Sequence, residues 1–276
     1  MKKILFSLLF LVVAASNQAQ VIMPAPSPAQ TIKQEFALGS IEITYSRPAS
    51  KGRKVFGDLV PFNKLWRTGA NAATIIRFND VVEIKGKKID TGSYALYTIP
   101  GLESWEVILN KGVTNWGIDG YKESEDVVRF RIEPVKIKDR LEDLTMQFID
   151  IRPEYCEWQI IWEKTAIIIP INANIKERLR KQLQAAIAAG DKPYFEAAQF
   201  YSEYDKNPSK ALEFARKAVE ENPTAFWIWL YKARIEKEMG NNKAARQSSE
   251  QSLTLAKKAK NDDYVKMNEA LQKSLK

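Results

Sequence analysis

The sequence has no histidine and a single cysteine, Cys156. Without imidazole there is no Ser-His triad, no His general base and no His-ligated metal site. One thiol cannot close an internal disulfide or build a thiolate zinc cage. No phosphate loop, paired-glycine dinucleotide turn or nucleophile elbow occurs; Thr91-Gly92-Ser93-Tyr94 lacks the second glycine an elbow needs. Beyond the N-terminus no run is long and apolar enough to span a bilayer. No cofactor and no metal is therefore expected. What is present is an ordinary globular composition: 276 residues, 45% hydrophobic and 28% charged, with a formal net charge of +8.

Met1-Lys2-Lys3 followed by an apolar run from Ile4 to Ala15 reads as a signal peptide, with cleavage favoured after Ala19. An uncleaved anchor is the alternative. No cysteine follows the run, so lipid attachment is not expected, and the mature protein is expected to be periplasmic or secreted. Nucleic acid is not an expected partner, because no reading motif accompanies the charge.

The rest divides in two: a Pro-rich linker over 20–30, a β domain over 31–171 and a helical domain over 172–276. In the β domain Ile41, Ile43 and Tyr45 alternate with Glu42 and Thr44, and comparable segments follow at 74–78, 81–84, 94–99, 105–109, 127–132, 144–149, 155–162 and 166–171. That pattern, punctuated by Gly, Asp and Asn, predicts a β-sandwich or barrel. Trp158, Ile160 and Trp162 share one face of a strand, which is a core pattern; a sugar-stacking platform is the sharper alternative. Cys156 in the same run is expected to be a buried, inert thiol.

From Asn172 onward Ala, Lys, Glu and Gln dominate, and helices are predicted over 173–189, 193–206, 208–221, 224–239, 242–259 and 262–275. The fold class is thus α+β as a two-domain chain. A 34-residue offset relates Ala211, Ala215 and Ala218 to Ala245, Ser249 and Ser252, and Phe195 to Trp229. This resembles the tetratricopeptide repeat over about 192–259, with a generic helical bundle as the alternative. Such repeats commonly present a groove to a protein partner.

Charge is unevenly placed. Residues 20–171 hold 20 basic and 20 acidic side chains, whereas residues 172–276 hold 20 and 14. Within the neutral half, seven basic residues lie between Arg47 and Arg77 against Asp58 alone. This segment supplies the candidate ligand site: Arg53, Lys54, Asp58, Lys64, Trp66, Arg67 and Asn71. Arg53 and Arg67 could clamp a carboxylate or phosphate with Lys64 adding a point charge. Asp58 is expected to hold one of the arginines in place, and Trp66 with Phe62 to plug the end of the sandwich.

Three strings, Ser46-Arg47-Pro48, Gly52 to Pro61 and Leu65-Trp66-Arg67-Thr68-Gly69-Ala70-Asn71, carry a resemblance to an exported bacterial family known as domain of unknown function 2911. Ile84 to Lys87, Gly92 to Pro100, Trp105 to Asn110, Trp116-Gly117 and Glu125 to Arg129 agree with it. The resemblance covers about 28–171 and implies a secreted β-rich domain, sometimes followed by helical repeats. It implies no activity. The expected function is non-enzymatic binding in the cell envelope, of an anionic small molecule or glycan by the β domain and of a protein partner by the helices. The alternatives are an envelope hydrolase with Asp58 as acid or base and Arg67 as anion clamp, or a purely structural protein.

Overall fold

The computed structural model describes residues 23–275; the signal-peptide expectation for residues 1–19 lies outside them. Ten strands form two antiparallel sheets. The first has the order β1-β2-β3-β6-β7-β8, with β1 Ala29–Phe36, β2 Gly39–Ser46, β3 Thr74–Phe78, β6 Gly92–Ile99, β7 Trp105–Asn110 and β8 Asp126–Ile132. The second has the order β5-β4-β10-β9, with β4 Val82–Ile84, β5 Lys87–Ile89, β9 Val135–Arg152 and β10 Tyr155–Asn172. Period-2 alternation turns Ile41, Ile43, Tyr45, Ile76, Phe78 and Leu96 of the first sheet onto Leu144, Met146, Trp158, Ile160, Trp162, Ile167 and Ile169 of the second. Each large side chain buried in this way contributes about 1.5–3 kcal/mol. The architecture is a β-sandwich. Trp158 and Trp162 are fully buried in it, which removes the sugar-platform alternative for that strand.

Two strands leave no clear mark in the sequence pattern. β1 begins at Ala29, inside the expected linker, and β5 is three residues long. The segments at 155–162 and 166–171 join into one 18-residue strand, β10, which keeps pairing with β9 through register shifts around Glu163. Bulges of this kind bend a long strand without ending it.

The helical half comprises α1 Lys176–Ala188, α2 Tyr194–Gln199 continued by a π-helical turn Phe200–Tyr204, α3 Pro208–Glu221, α4 Phe226–Glu238, α5 Asn242–Lys258 and α6 Asp262–Ser274. From α2 on, each helix packs on the next across a short turn. Asn207, Asn241 and Asn261 cap α3, α5 and α6 by accepting a backbone N–H three residues on. Ala198, Ala211, Ala215, Ala218, Ala233, Ala245, Ser249 and Ser252 are all buried at the contacts, where small side chains let the helix axes approach. Among the described residues no helix is long and apolar enough to cross a membrane.

The two halves are docked at α1. Arg178 Nη1 lies 2.5 Å from Asp80 Oδ1, and the buried Asp80 carboxylate also accepts the Leu38 and Val81 backbone N–H groups at 3.2 and 2.7 Å. Glu154 accepts the Ile175 N–H at 2.8 Å, holding the residue before α1 against the β9–β10 turn.

Candidate functional site

The chain between β2 and β3, residues 47–73, makes the excursion that its glycines and Pro61 suggest, and it is stitched to both sheets. On the β9 side, Leu144 N–H donates to Pro48 O at 3.0 Å and Ser50 N–H to Glu142 O at 2.9 Å. On the β6 side, Trp66 and Thr98 exchange backbone hydrogen bonds at 2.8 and 2.9 Å, and Asn63 N–H reaches Pro100 O at 2.8 Å.

Adjacent residues of an extended segment point to opposite faces, and the Trp66–Thr98 bridge applies this to the candidate residues. Trp66 turns inward. Its ring joins Phe56, Trp105 and Trp162, stacking on Trp162 with centroids 6.0 Å apart, while its Nε1–H donates to Gly69 O at 3.1 Å. Arg67 turns outward, over the second face of the six-stranded sheet. There a smaller core of Ala73, Ala95, Tyr97 and Ile108 is covered by Leu65 and Tyr121.

Arg67 and Asn71 line a pocket of about 370 Å³ together with Trp116, Gly117, Ile118 and Asp119. The β7–β8 loop, residues 111–125, supplies the last four, joined to the excursion by the Ala72–Trp116 bridge. Trp116 is 67% exposed and Ile118 46%. The Nε of Arg67 is buried without an acceptor. Arg67 is also the one arginine of the ten-strand half that, among the described residues, makes neither a hydrogen bond nor an ion pair. Arg47, Arg77, Arg129, Arg131, Arg140 and Arg152 all hold oxygen acceptors, as does Arg53. A half-buried cation without a protein acceptor costs stability unless solvent or a ligand supplies one, and here the Nη groups, not the enclosed Nε, are what a ligand can reach.

The backbone next to Arg67 is strained as well. Thr68 is β-branched, fully buried and has a φ of 53°, a left-handed conformation costing about 1–3 kcal/mol. It is over-determined: its hydroxyl lies 3.0 Å from the Thr98 hydroxyl, and its carbonyl accepts the Thr74 hydroxyl at 2.8 Å. Asn71 has a φ of 61°, and its amide nitrogen donates to Ser46 Oγ at 3.2 Å. On the other wall Gly117 has a φ of 67°, and a Cβ there would stand 3.8 Å from Arg67 Nη1.

Beneath the pocket a polar network anchors the Trp116 loop. Asn115 donates to the Tyr97 hydroxyl at 3.1 Å, and Tyr121 donates to Asp126 at 3.1 Å. Arg129 binds Asp126 at 2.9 Å and Glu106 at 2.8 Å. Burial, then the Asp126 carboxylate, pushes the Tyr121 hydroxyl up to about 12. The hydrogen bond from Arg129 holds the Glu106 carboxyl below the usual carboxylate range.

The other candidates lie elsewhere. Arg53 donates to the backbone carbonyls of Ser50 at 2.9 Å and Ala49 at 3.0 Å, closing the turn that leaves β2. Lys54, Asp58 and Lys64 are exposed and line none of the pocket. The ion pair expected between Asp58 and Arg53 or Arg67 is absent among the described residues: Arg53 is satisfied by carbonyls, and Arg67 points across the sheet. Trp116, which the sequence names only within the family resemblance, and Ile118 and Asp119, which it does not mark, are further residues of the site. The available signal is a tryptophan in a loop with glycines at 112, 117 and 120, where no strand alternation can bury it.

A wider cleft of about 790 Å³ lies between the Asn79–Glu83 turn and the start of α1. Its charges are largely matched within the chain, Asp80 by Arg178, Lys88 by Asp90 and Glu177 by Arg180. It lacks the unmet cation of the Arg67 pocket. Among the described residues no group of three or more Cys, Asp or Glu could hold a metal ion.

Residues 27–171 match the family described as "Protein of unknown function (DUF2911)". The match covers more than half of the chain, and the chain belongs to this family. No curated protein and no solved structure matches it. The matched region spans the sandwich up to the last residue of β10 and includes both loops of the pocket.

Proposed function

We propose that the protein is an exported, non-enzymatic binding protein of the bacterial cell envelope, and that its sandwich takes an anionic small molecule or glycan in the Arg67–Asn71–Trp116 pocket. The observation that carries this reading is Arg67: a half-buried guanidinium with no protein partner, next to the left-handed Thr68, in a pocket that an exposed indole also lines. Arg53 has gone the other way, into carbonyl hydrogen bonds, and serves structure. Export rests on the basic start, apolar run and small residues of 1–19.

The helical half is, in this reading, a pair of tetratricopeptide-like hairpins that bind a protein partner. The 34-residue offset and the small buried residues at its equivalent positions support it, as do exposed Trp227, Met239 and Met267. No observation favours the hydrolase alternative, since Asp58 stands exposed and outside the pocket.

The test is a thermal-shift screen of anionic sugars, peptidoglycan fragments, nucleotides and dicarboxylates, run on the purified protein and on Arg67→Ala. A ligand at 100 times its dissociation constant stabilises the native state by about 2.7 kcal/mol. The reading requires a shift that Arg67→Ala loses. A screen in which no anion stabilises the wild type more than the variant removes it.

A further inference from the structure

We infer that the ligand of the Arg67 pocket is a carboxylated sugar: one carboxylate on a pyranose ring that still carries its hydroxyls. This rests on the reading of the pocket as an anion site and goes on to name the chemistry.

Three features of the lining select the class. The first is the way Arg67 is presented. Its Nε is buried, so the edge left for a ligand is the pair of Nη groups, beside the side-chain-free Gly117. Two parallel N–H groups in a plane match a carboxylate oxygen for oxygen.

The second is Asp119, which lines the same pocket and makes no ion pair among the described residues. A second negative charge near the ligand repels phosphates and other multiply charged anions. A monoanion seated on Arg67 tolerates it, provided that the rest of the ligand donates hydrogen bonds. Sugar hydroxyls do so, and Asp119 and the Asn71 amide oxygen are acceptors for them, the Asn71 nitrogen being committed to Ser46.

The third is Trp116. An indole 67% exposed beside a polar cavity offers a flat apolar face, and the C–H face of a pyranose covers it while the hydroxyl edge remains hydrogen-bonded. The volume, about 370 Å³, is near the small end of ligand pockets and suits one or two rings, such as the end of an acidic polysaccharide.

The test is calorimetric titration of the purified protein, with tryptophan fluorescence as a second readout. The probes are galacturonate, its dimer, glucuronate, galactose, an alanyl dipeptide and inorganic phosphate. The expected result is binding of the uronates with a fluorescence change, and binding of galactose roughly tenfold weaker or more, for want of the charged hydrogen bonds. Arg67→Gln and Arg67→Lys both weaken uronate binding by about tenfold or more, since lysine keeps the charge and loses the fork. Trp116→Ala abolishes the fluorescence change, whereas Lys88→Gln, a surface charge outside the pocket, retains both. Full affinity in Arg67→Lys, or equal binding of galactose, overturns the inference. Arg67-dependent binding of phosphate or dipeptide in place of uronate overturns it too, while leaving the anion-site reading intact. No Arg67-dependent binding of any anion removes both.

Discussion

Trp66 stacks on Trp162 with ring centroids 6.0 Å apart and planes 21° from parallel, so the excursion between β2 and β3 is packed onto the opposite sheet. Arg67, the next residue, faces away from that core into the pocket. One peptide unit thus joins the aromatic cluster of the core to an arginine that has no protein partner.

This coupling separates two tryptophans that composition treats alike. Trp66→Ala removes a buried indole ringed by three aromatic side chains and should cost about 3–5 kcal/mol. Trp116→Ala removes an exposed one and should change stability by no more than about 0.5 kcal/mol. Urea unfolding of the two variants measures the difference. Equal midpoints would show that Trp66 does not anchor the excursion.

Thr68 is the hinge between those roles. Thr68→Val keeps the β-branch and the volume but removes the hydroxyl that meets Thr98. It leaves a buried acceptor short of its partner and the left-handed backbone less constrained, for a loss of about 1–3 kcal/mol. The same variant should weaken Arg67-dependent binding, because the strained turn aims the side chain beside it. A Thr68→Val variant as stable as the wild type would mean that the hydroxyl pair contributes nothing.

Much of this fold is legible in the sequence, and the reasons are local. Ile41, Ile43 and Tyr45 alternate with polar residues because one face of β2 meets the core, and Asn207-Pro208 and Asn241 mark helix starts through their own side chains. β1 escapes notice because it is an edge strand, where only Phe36 is fully buried and Lys33 and Glu35 pair in solvent. β5 escapes because two of its three residues are exposed lysines. The pocket is only half legible. Arg53 and Arg67 carry equal weight in the sequence; what separates them is which face of the excursion each occupies. Trp116 reaches Arg67 through the Ala72–Trp116 bridge, a pairing of distant segments that no local pattern encodes.

Cys156 sits fully buried on β10, and burial pushes its thiol up to about 12. Thiolate is the reactive form, and almost none exists at neutral pH. In the native protein a disulfide reagent should therefore react only through opening of the sandwich, orders of magnitude more slowly than in urea. Labelling of the folded protein at the rate of a free thiol would place Cys156 at the surface and refute the packing of β10.

The helical half has its own pH signature at Asp205. Arg180 grips this carboxylate at 2.7 Å and Lys176 at 3.1 Å, tying α1 to the turn that follows Tyr204. The hydrogen bond from Arg180, then that from Lys176, lowers the Asp205 carboxyl from 3.8 to about 2. A depressed carboxylate stabilises the fold above its unfolded value, and that contribution is lost as pH falls from about 4 through about 2. Glu106, held low by Arg129 in the sandwich, acts in the same direction. Acid should therefore destabilise both halves below about pH 4, and Asp205→Asn should flatten only the part reported by the helices. Far-ultraviolet circular dichroism at 222 nm, followed from pH 5 to pH 2, measures that limb. An acid transition identical in the variant would mean that solvent screens the Asp205 pair too well for it to matter, and that α1 is held by the Asp80–Arg178 and Glu154–Ile175 contacts instead.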